Sequence, residues 1–269
     1  MKEQQGVIAV GKERLHYIKW GSGKRLLLAF HGYSASAWMF SLLAKYLEND
    51  YTIFSFDLPH HGSSPWGEGS RLTAVDLAAM AQQLMQENGR DKVSLAGYSI
   101  GGRVCLALMG QIPGQTDRIT LLATDGLRVD PYFYFFTSTA MGRKVFRNLL
   151  EKPGSYLQAI NLINNIKLVN LSRYKFATHF LQSAASRQLL LKVWPAMSGL
   201  MPQPSQLKET IKRYRIPVTI FMGAYDKIMP PSIAEKFRKG LDTVQLYVLS
   251  KGHRVLDNET AQQIANSLL

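Results

Sequence analysis

Three residues far apart in the chain have the types needed for acyl transfer: Ser99 in L-A-G-Y-S-I-G-G (95–102), Asp226 in G-A-Y-D-K-I (223–228) and His253 in K-G-H (251–253). A serine hydroxyl is a weak nucleophile until an imidazole takes its proton, and the imidazole needs a carboxylate to fix its tautomer and stabilise its cation. The local pattern around Ser99 suits the nucleophile's role. A short apolar run, Val93 to Ala96, breaks at Gly97, and a helical pattern with Val104, Leu106, Ala107 and Leu108 follows at once. Tyr98 and Ser99 therefore fall on a sharp strand-to-helix turn, with Gly97, Gly101 and Gly102 small enough to let strand and helix approach closely. The helix beyond aims its free amides and positive end at the turn, where an oxyanion would develop. Taken alone, G-x-S-x-G is a short pattern that chance supplies, and the serine could simply cap the helix.

The elements that must position these residues are legible from hydrophobic patterning. Val7–Val10 and Leu15–Lys19 alternate as an antiparallel edge hairpin around Gly11 and Lys12. L-L-L-A-F (26–30) is the unbroken apolar run of a parallel strand buried on both faces. The spacing then predicts a helix over 38–47, a strand over 52–56, a helix over 72–88 stopped by Gly89, the strand leading to Ser99, and a strand over 119–123 ending at Thr124-Asp125-Gly126. Later come strands over 218–222 and 244–249 and a last helix over about 259–269. Alternation of strand and helix implies a mostly parallel sheet flanked by helices. From 127 to 214 there is no strong strand signal, and the stretch reads as a helical cap inserted between two parts, 1–126 and 215–269, of one α/β core.

Ligands of open parallel sheets bind beyond the carboxyl ends of the strands, so residues there converge in space. His31-Gly32-Tyr33, Ser99, Asp226 and His253 all occupy such positions, and the order Ser, Asp, His is the order of a known triad arrangement. Asp125 also ends a strand and is the competing acid. Asp57 reads as the anchor of its own loop and His31 as a brace for backbone. His60 and His61 adjoin each other without a nearby carboxylate pair, which gives no metal site. His16 and His179 stand isolated and read as surface or packing residues. Tyr98 and Arg103, beside the nucleophile, are candidates for substrate contact as well as for packing. Pro131–Phe136, P-Y-F-Y-F-F, suits either an acyl tunnel or the interior of the cap.

On H-G-Y (31–33), D-L-P-H-H-G-S-S (57–64), G-Y-S-I-G-G (97–102), G-A-Y-D-K-I (223–228) and K-G-H (251–253), the chain resembles the α/β-hydrolase superfamily over residues 7–126 and 215–269. The resemblance implies the α/β-hydrolase fold, a Ser99–His253–Asp226 triad, and an oxyanion hole formed by the backbone amides of Tyr33 and Ile100. It favours Asp226 over Asp125. One departure is His60, where the family usually has glycine. The segment G-Y-S-I-G-G-R-V, with Arg103, is also similar to the nucleophile turn of the menaquinone-pathway synthase that eliminates pyruvate.

Composition sets the wider bounds. At 269 residues, 46% hydrophobic and 19% charged, the chain is globular rather than disordered, with no span-length apolar run and no leader pattern, so a cytoplasmic protein is expected. Cys105 is the single cysteine, which excludes an internal disulfide and a cysteine metal cluster. No cofactor or metal is implied. The net charge is +13, and residues 127–214 hold 13 Lys and Arg against three acids. A positive field on a cap expected to cover the site mouth suits an anionic acyl substrate or peripheral contact with an anionic membrane. Nucleic acid ranks lower because no recognised module accompanies the charge. The expected function is a serine hydrolase of esters or related acyl compounds. The alternatives are a pyruvate-eliminating lyase with the same triad and a non-catalytic binding protein on the same scaffold.

Overall fold

A computed structural model describes residues 3–154 and 183–269. It contains one eight-stranded sheet: β1 (Glu3–Val10), β2 (Glu13–Trp20), β3 (Arg25–Phe30), β4 (Tyr51–Phe56), β5 (Val93–Tyr98), β6 (Thr116–Leu122), β7 (Val218–Gly223) and β8 (Val244–Leu249). Their order across the sheet is β1-β2-β4-β3-β5-β6-β7-β8. β1 and β2 form the antiparallel edge hairpin, β2 also runs antiparallel to β4, and every later pairing is parallel. The three central strands explain why their sequences do not alternate. Nearly every residue of β3, β4 and β5 is buried, because helices cover both faces.

The helices of this unit are α1 (Ser41–Leu47), preceded by a short 3-10 turn at Ala37–Phe40, α2 (Ala74–Glu87) and α3 (Ile100–Gln111). Thr73 caps α2 by accepting from the Asp76 amide, which fixes where that helix starts. α3 packs back on β3, β5 and β6, and its residues from Ile100 to Met109 are all buried. On one layer of the core, Leu27, Ala29, Leu43, Leu47, Ile53 and Ile264 meet. Truncating such a leucine to alanine typically costs ~2–5 kcal/mol.

The chain divides into two compact units, residues 1–129 with 199–269, and residues 130–198. The second unit holds α4 (Pro131–Ser138), α5 (Ala140–Glu151) and α6 (Ala184–Met197) among its described residues. Asp130 and Thr139 cap α4 and α5 by accepting from backbone amides. Phe133, Phe136, Phe146 and Trp194 gather around one another, with Phe146 and Trp194 stacked at 5.0 Å. The aromatic run 131–136 thus splits: Phe133 is interior to this unit, while Tyr132 and Tyr134 are exposed. His179 lies outside the described residues.

Three boundaries differ from the sequence reading. Helix α7 (Pro204–Tyr214), expected in the cap, belongs to the sheet unit because Leu207 and Ile211 are buried, with Leu207 against Gly110 of α3. Arg128, Lys208, Lys212 and Arg213 go with it, so the second unit carries nine Lys and Arg against two acids, +7 rather than +10. A helix α8 (Pro231–Arg238) was not expected. It shows Pro at its first turn and basic residues in its last, but only Ile233, Ala234 and Phe237 mark its buried face. The final helix, α9, is shorter than its pattern, Ala261–Asn266.

Candidate active site

Ser99 sits between β5 and α3 at φ 52°, ψ −117°, a backbone conformation that L-residues rarely adopt. The sheet holds it there. Its amide donates to the Leu122 carbonyl (2.9 Å), and its carbonyl accepts from Gly102 (2.9 Å) and Asp125 (3.0 Å). The close approach allowed by glycine is real at all three positions, and a Cβ on Gly102 would lie 1.8 Å from Thr124 Oγ1. A Cβ on Gly97 would lie 2.5 Å from the Gly101 carbonyl oxygen, and one on Gly101 would lie 1.9 Å from that of Phe30.

The loops after β7 and β8 bring the other two residues to Ser99. Backbone bonds from Ala224 to Leu249 (2.8 Å) and from Tyr225 to Lys251 (2.9 Å) hold these loops side by side. Lys251 pairs with Asp257 (2.6 Å) and Glu259, which raises the lysine pKa and lowers that of Asp257 by hydrogen bonding between them. His253 Nδ1 lies 2.7 Å from Asp226 Oδ2, and its Nε2 lies 3.2 Å from Ser99 Oγ. The Asp226 carboxylate is wholly buried, and its Oδ1 accepts from the amides of Ile228 (2.8 Å) and Met229 (2.9 Å). A carboxylate at Nδ1 favours the tautomer that keeps Nε2 free as an acceptor for the serine proton.

Gly32 lies directly beside this group: a Cβ there would meet Ser99 Cβ at 3.2 Å and the Tyr98 ring at 2.5 Å. The loop carrying the Tyr33 amide is thus next to Ser99. The Ile100 amide is at the first turn of α3, where helix geometry leaves amides without intrahelical partners.

Two residues considered for substrate contact are engaged elsewhere. Arg103 is buried, and its guanidinium holds Asp125 Oδ2 through Nε (2.8 Å) and Nη2 (2.5 Å). The other Asp125 oxygen accepts from the Gly126 amide (2.6 Å). This occupies the competing acid as well as the arginine. Tyr98 is nearly buried and donates its hydroxyl to the His253 carbonyl (3.2 Å), so it braces the histidine loop; burial pushes its pKa up to about 12.

Sequence reasoning missed a second imidazole–carboxylate pair. His16 Nδ1 lies 2.8 Å from Asp57 Oδ2, an encounter set by the pairing of β2 with β4. Asp57 also accepts from the amides of Ala37 (2.7 Å) and Ser63 (2.9 Å), which makes it the anchor of its loop. The His60 departure has a backbone explanation. Its φ is 61°, the left-handed region where glycine is at ease, and this chain places a histidine there. Among the described residues, no group of three or more His, Cys, Asp or Glu is arranged to hold a metal ion. None of their helices is long and apolar enough to cross a membrane.

Residues 25–256 match the protein family described as alpha/beta hydrolase fold. The chain belongs to that family and is an α/β hydrolase. Among its relatives is an uncharacterized hydrolase of Bacillus subtilis, 23% identical over 248 residues, covering 91% of this chain and 89% of that one. A pimeloyl-[acyl-carrier protein] methyl ester esterase of Nitrosomonas europaea is 21% identical over 233 residues, covering 86% and 89%. Among solved structures, a thermophilic esterase from Thermogutta terrifontis superposes with a TM-score of 0.65 at 18% identity, covering 98% of this chain and 96% of that one.

Proposed function

We propose that this hydrolase cleaves carboxylic esters or related acyl compounds through an acyl-enzyme on Ser99. The carrying observation is the unbroken relay from Asp226 through His253 to Ser99, at 2.7 Å and 3.2 Å. In the first half-reaction the Ser99 proton passes to His253 Nε2 as Oγ bonds to the substrate carbonyl carbon. The carbonyl electron pair moves onto oxygen, and the Tyr33 and Ile100 amides donate hydrogen bonds to that oxyanion. Collapse expels the alcohol, which takes the proton from His253. Water then attacks the acyl-enzyme carbonyl carbon and gives a proton to His253, which returns it to Ser99 Oγ as the acyl–Oγ bond breaks and the acid leaves. The two relatives named as esterases support an ester as the substrate class. The pyruvate-eliminating alternative leaned on Arg103, whose guanidinium is held by Asp125. The binding-protein alternative has no use for a complete relay.

The test is labelling with a serine-directed phosphonate followed by a panel of acyl esters and thioesters of graded length and charge. Ser99→Ala should abolish both labelling and turnover, and labelling that persists at another residue would refute the assignment. Turnover that releases pyruvate without consuming water would transfer the site to the lyase.

The charge of the second unit supports a narrower reading: the substrate is anionic, or sits at an anionic lipid surface. With +7 on residues 130–198, the molecule's field concentrates anions around it. For matched neutral and carboxylated esters, kcat/KM should favour the anion at low salt. The preference should shrink as the Debye length falls from ~10 Å at 0.1 M to ~3 Å at 1 M. Equal rates at every salt concentration, together with no binding to anionic vesicles, would remove the functional role of this charge.

A further inference from the structure

Behind the Tyr33 amide lie two histidines that the relay does not use. His31 follows β3 and is fully buried; His61 lies in the loop after β4 and is also buried. Their rings meet edge to face at 5.0 Å, and His61 meets the Tyr33 ring in the same manner at 5.9 Å. Each imidazole has a backbone partner on both nitrogens. His31 Nδ1 lies 2.6 Å from the Gly32 carbonyl oxygen, and its Nε2 accepts from the Leu58 amide at 3.0 Å. His61 Nδ1 lies 2.9 Å from the Pro59 carbonyl oxygen, and its Nε2 accepts from the Ser34 amide at 3.1 Å.

These partners fix the protonation of both rings. A nitrogen that accepts from an amide cannot carry a proton, and one that faces a carbonyl must carry one to make a bond. Both rings are therefore neutral with the proton on Nδ1. Burial favours the same state, holding His31 down to about 4 and lowering His61.

The consequence for the site follows from peptide planarity. The Gly32 carbonyl and the Tyr33 amide belong to one trans peptide unit and point in opposite directions, so gripping the oxygen aims the N–H. The next unit, from Tyr33 to Ser34, is held at its amide by His61. Ser34 has φ 63°, a left-handed turn that an unconstrained serine would leave. We infer that His31 and His61 are positioning residues: as a pair of neutral imidazoles they clamp the two peptide units flanking Tyr33 and so hold its amide in place for the substrate oxyanion. This rests on the reading of the Tyr33 amide as an oxyanion donor.

His61 is the testable half, since its Nε2 acceptor can be removed or imitated. His61→Leu should lower kcat for a good ester ~10–100-fold with KM within ~2-fold, less than the ~10²–10³-fold loss seen when an oxyanion donor is deleted outright. Hydrogen exchange at the Ser34 amide should accelerate at least ~10-fold in the same variant. His61→Gln, whose side-chain oxygen can accept from Ser34, should restore both to within ~3-fold of the parent protein, by the acceptor chemistry of the amide. If His61→Leu does not fold, long-range proton–nitrogen NMR on the unaltered protein still decides. It should show His61 protonated on Nδ1 and bare on Nε2, and the opposite tautomer overturns the clamp. Unchanged kcat in His61→Leu also overturns it, as does equal loss in the Leu and Gln variants. Parallel measurement of Ser99→Ala separates the two ideas: if that variant keeps its turnover, the catalytic reading fails, while the Ser34 exchange and the His61 tautomer still judge the clamp.

Discussion

The sheet carries two imidazole–carboxylate pairs of almost the same length, and only one of them reaches the serine proposed as nucleophile. His16 and Asp57 meet at 2.8 Å between β2 and the end of β4, and His253 and Asp226 meet at 2.7 Å beyond β7 and β8. In both, the carboxylate also accepts from two backbone amides. The difference lies at the other ring nitrogen. His16 Nε2 faces the Gln5 side-chain oxygen at 3.3 Å, whereas His253 Nε2 faces the Ser99 hydroxyl at 3.2 Å. One imidazole joins a strand to a loop and the other ends at an ionisable hydroxyl on a strained turn. The pair alone is thus no signature of chemistry, and the partner of the second nitrogen decides its use.

The comparison breaks or holds on exchanging each carboxylate for its amide. Asp226→Asn should lower kcat by ~10⁴, because the wrong histidine tautomer is then favoured. Asp57→Asn should leave kcat of the folded protein within ~10-fold, while lowering the urea midpoint by an amount equivalent to ~1–3 kcal/mol. The cause is that an amide NH₂ would face either the Ser63 amide or that of Ala37. Kinetic and denaturation measurements on the two variants check this, and the reverse ranking would exchange catalytic and structural pair.

A smaller effect sharpens the same point through His31, whose Nε2 is 3.9 Å from Asp57 Oδ1 and bonds the Leu58 amide instead. Its pKa is about 4 in the folded protein, below the ordinary 6.5, chiefly through burial. Below pH 6.5 the unfolded chain takes up a proton that the folded protein refuses. Stability should therefore fall as pH drops from 6.5 to 4, by about 3 kcal/mol from this group, and not further below that. Urea titrations across this window should show most of that slope lost in His31→Gln. A slope that persists in full would assign the acid sensitivity to other groups.

How much was legible follows from what each signal depends on. Strands β3, β5, β7 and β8 stood out because burial on both faces, or turn residues at the ends, mark them locally. The Ser99 turn was legible for the same reason, since glycine spacing records a close approach of backbones. The rule that strand ends converge pointed to His253 but left Asp226 and Asp125 both open as the acid, and only the resemblance of G-A-Y-D-K-I favoured Asp226. The His16–Asp57 pair was invisible because it depends on which strands neighbour each other, and β4 lies between β2 and β3 in a way no local pattern announces. Helix α7 was misassigned for a similar reason: its amphipathic spacing was readable, but not the unit against which it would pack. The roles of Arg103 and Asp125 became distinct only when their side chains were seen to bind each other.

The division of the chain has a consequence for how this scaffold can vary. Between Val129 and Gly199 the backbone makes a 69-residue excursion and then returns to complete the sheet. The entropic cost of closing such a passage grows only logarithmically, ~0.6 kcal/mol for each doubling of its length. Its size is therefore nearly free to drift while the sheet keeps its stability. Ser99 precedes the excursion and Asp226 and His253 follow it, so the serine proposed as nucleophile leaves the ribosome well before its proposed partners. The Asp226–His253–Ser99 relay can close only when the last strands have been added.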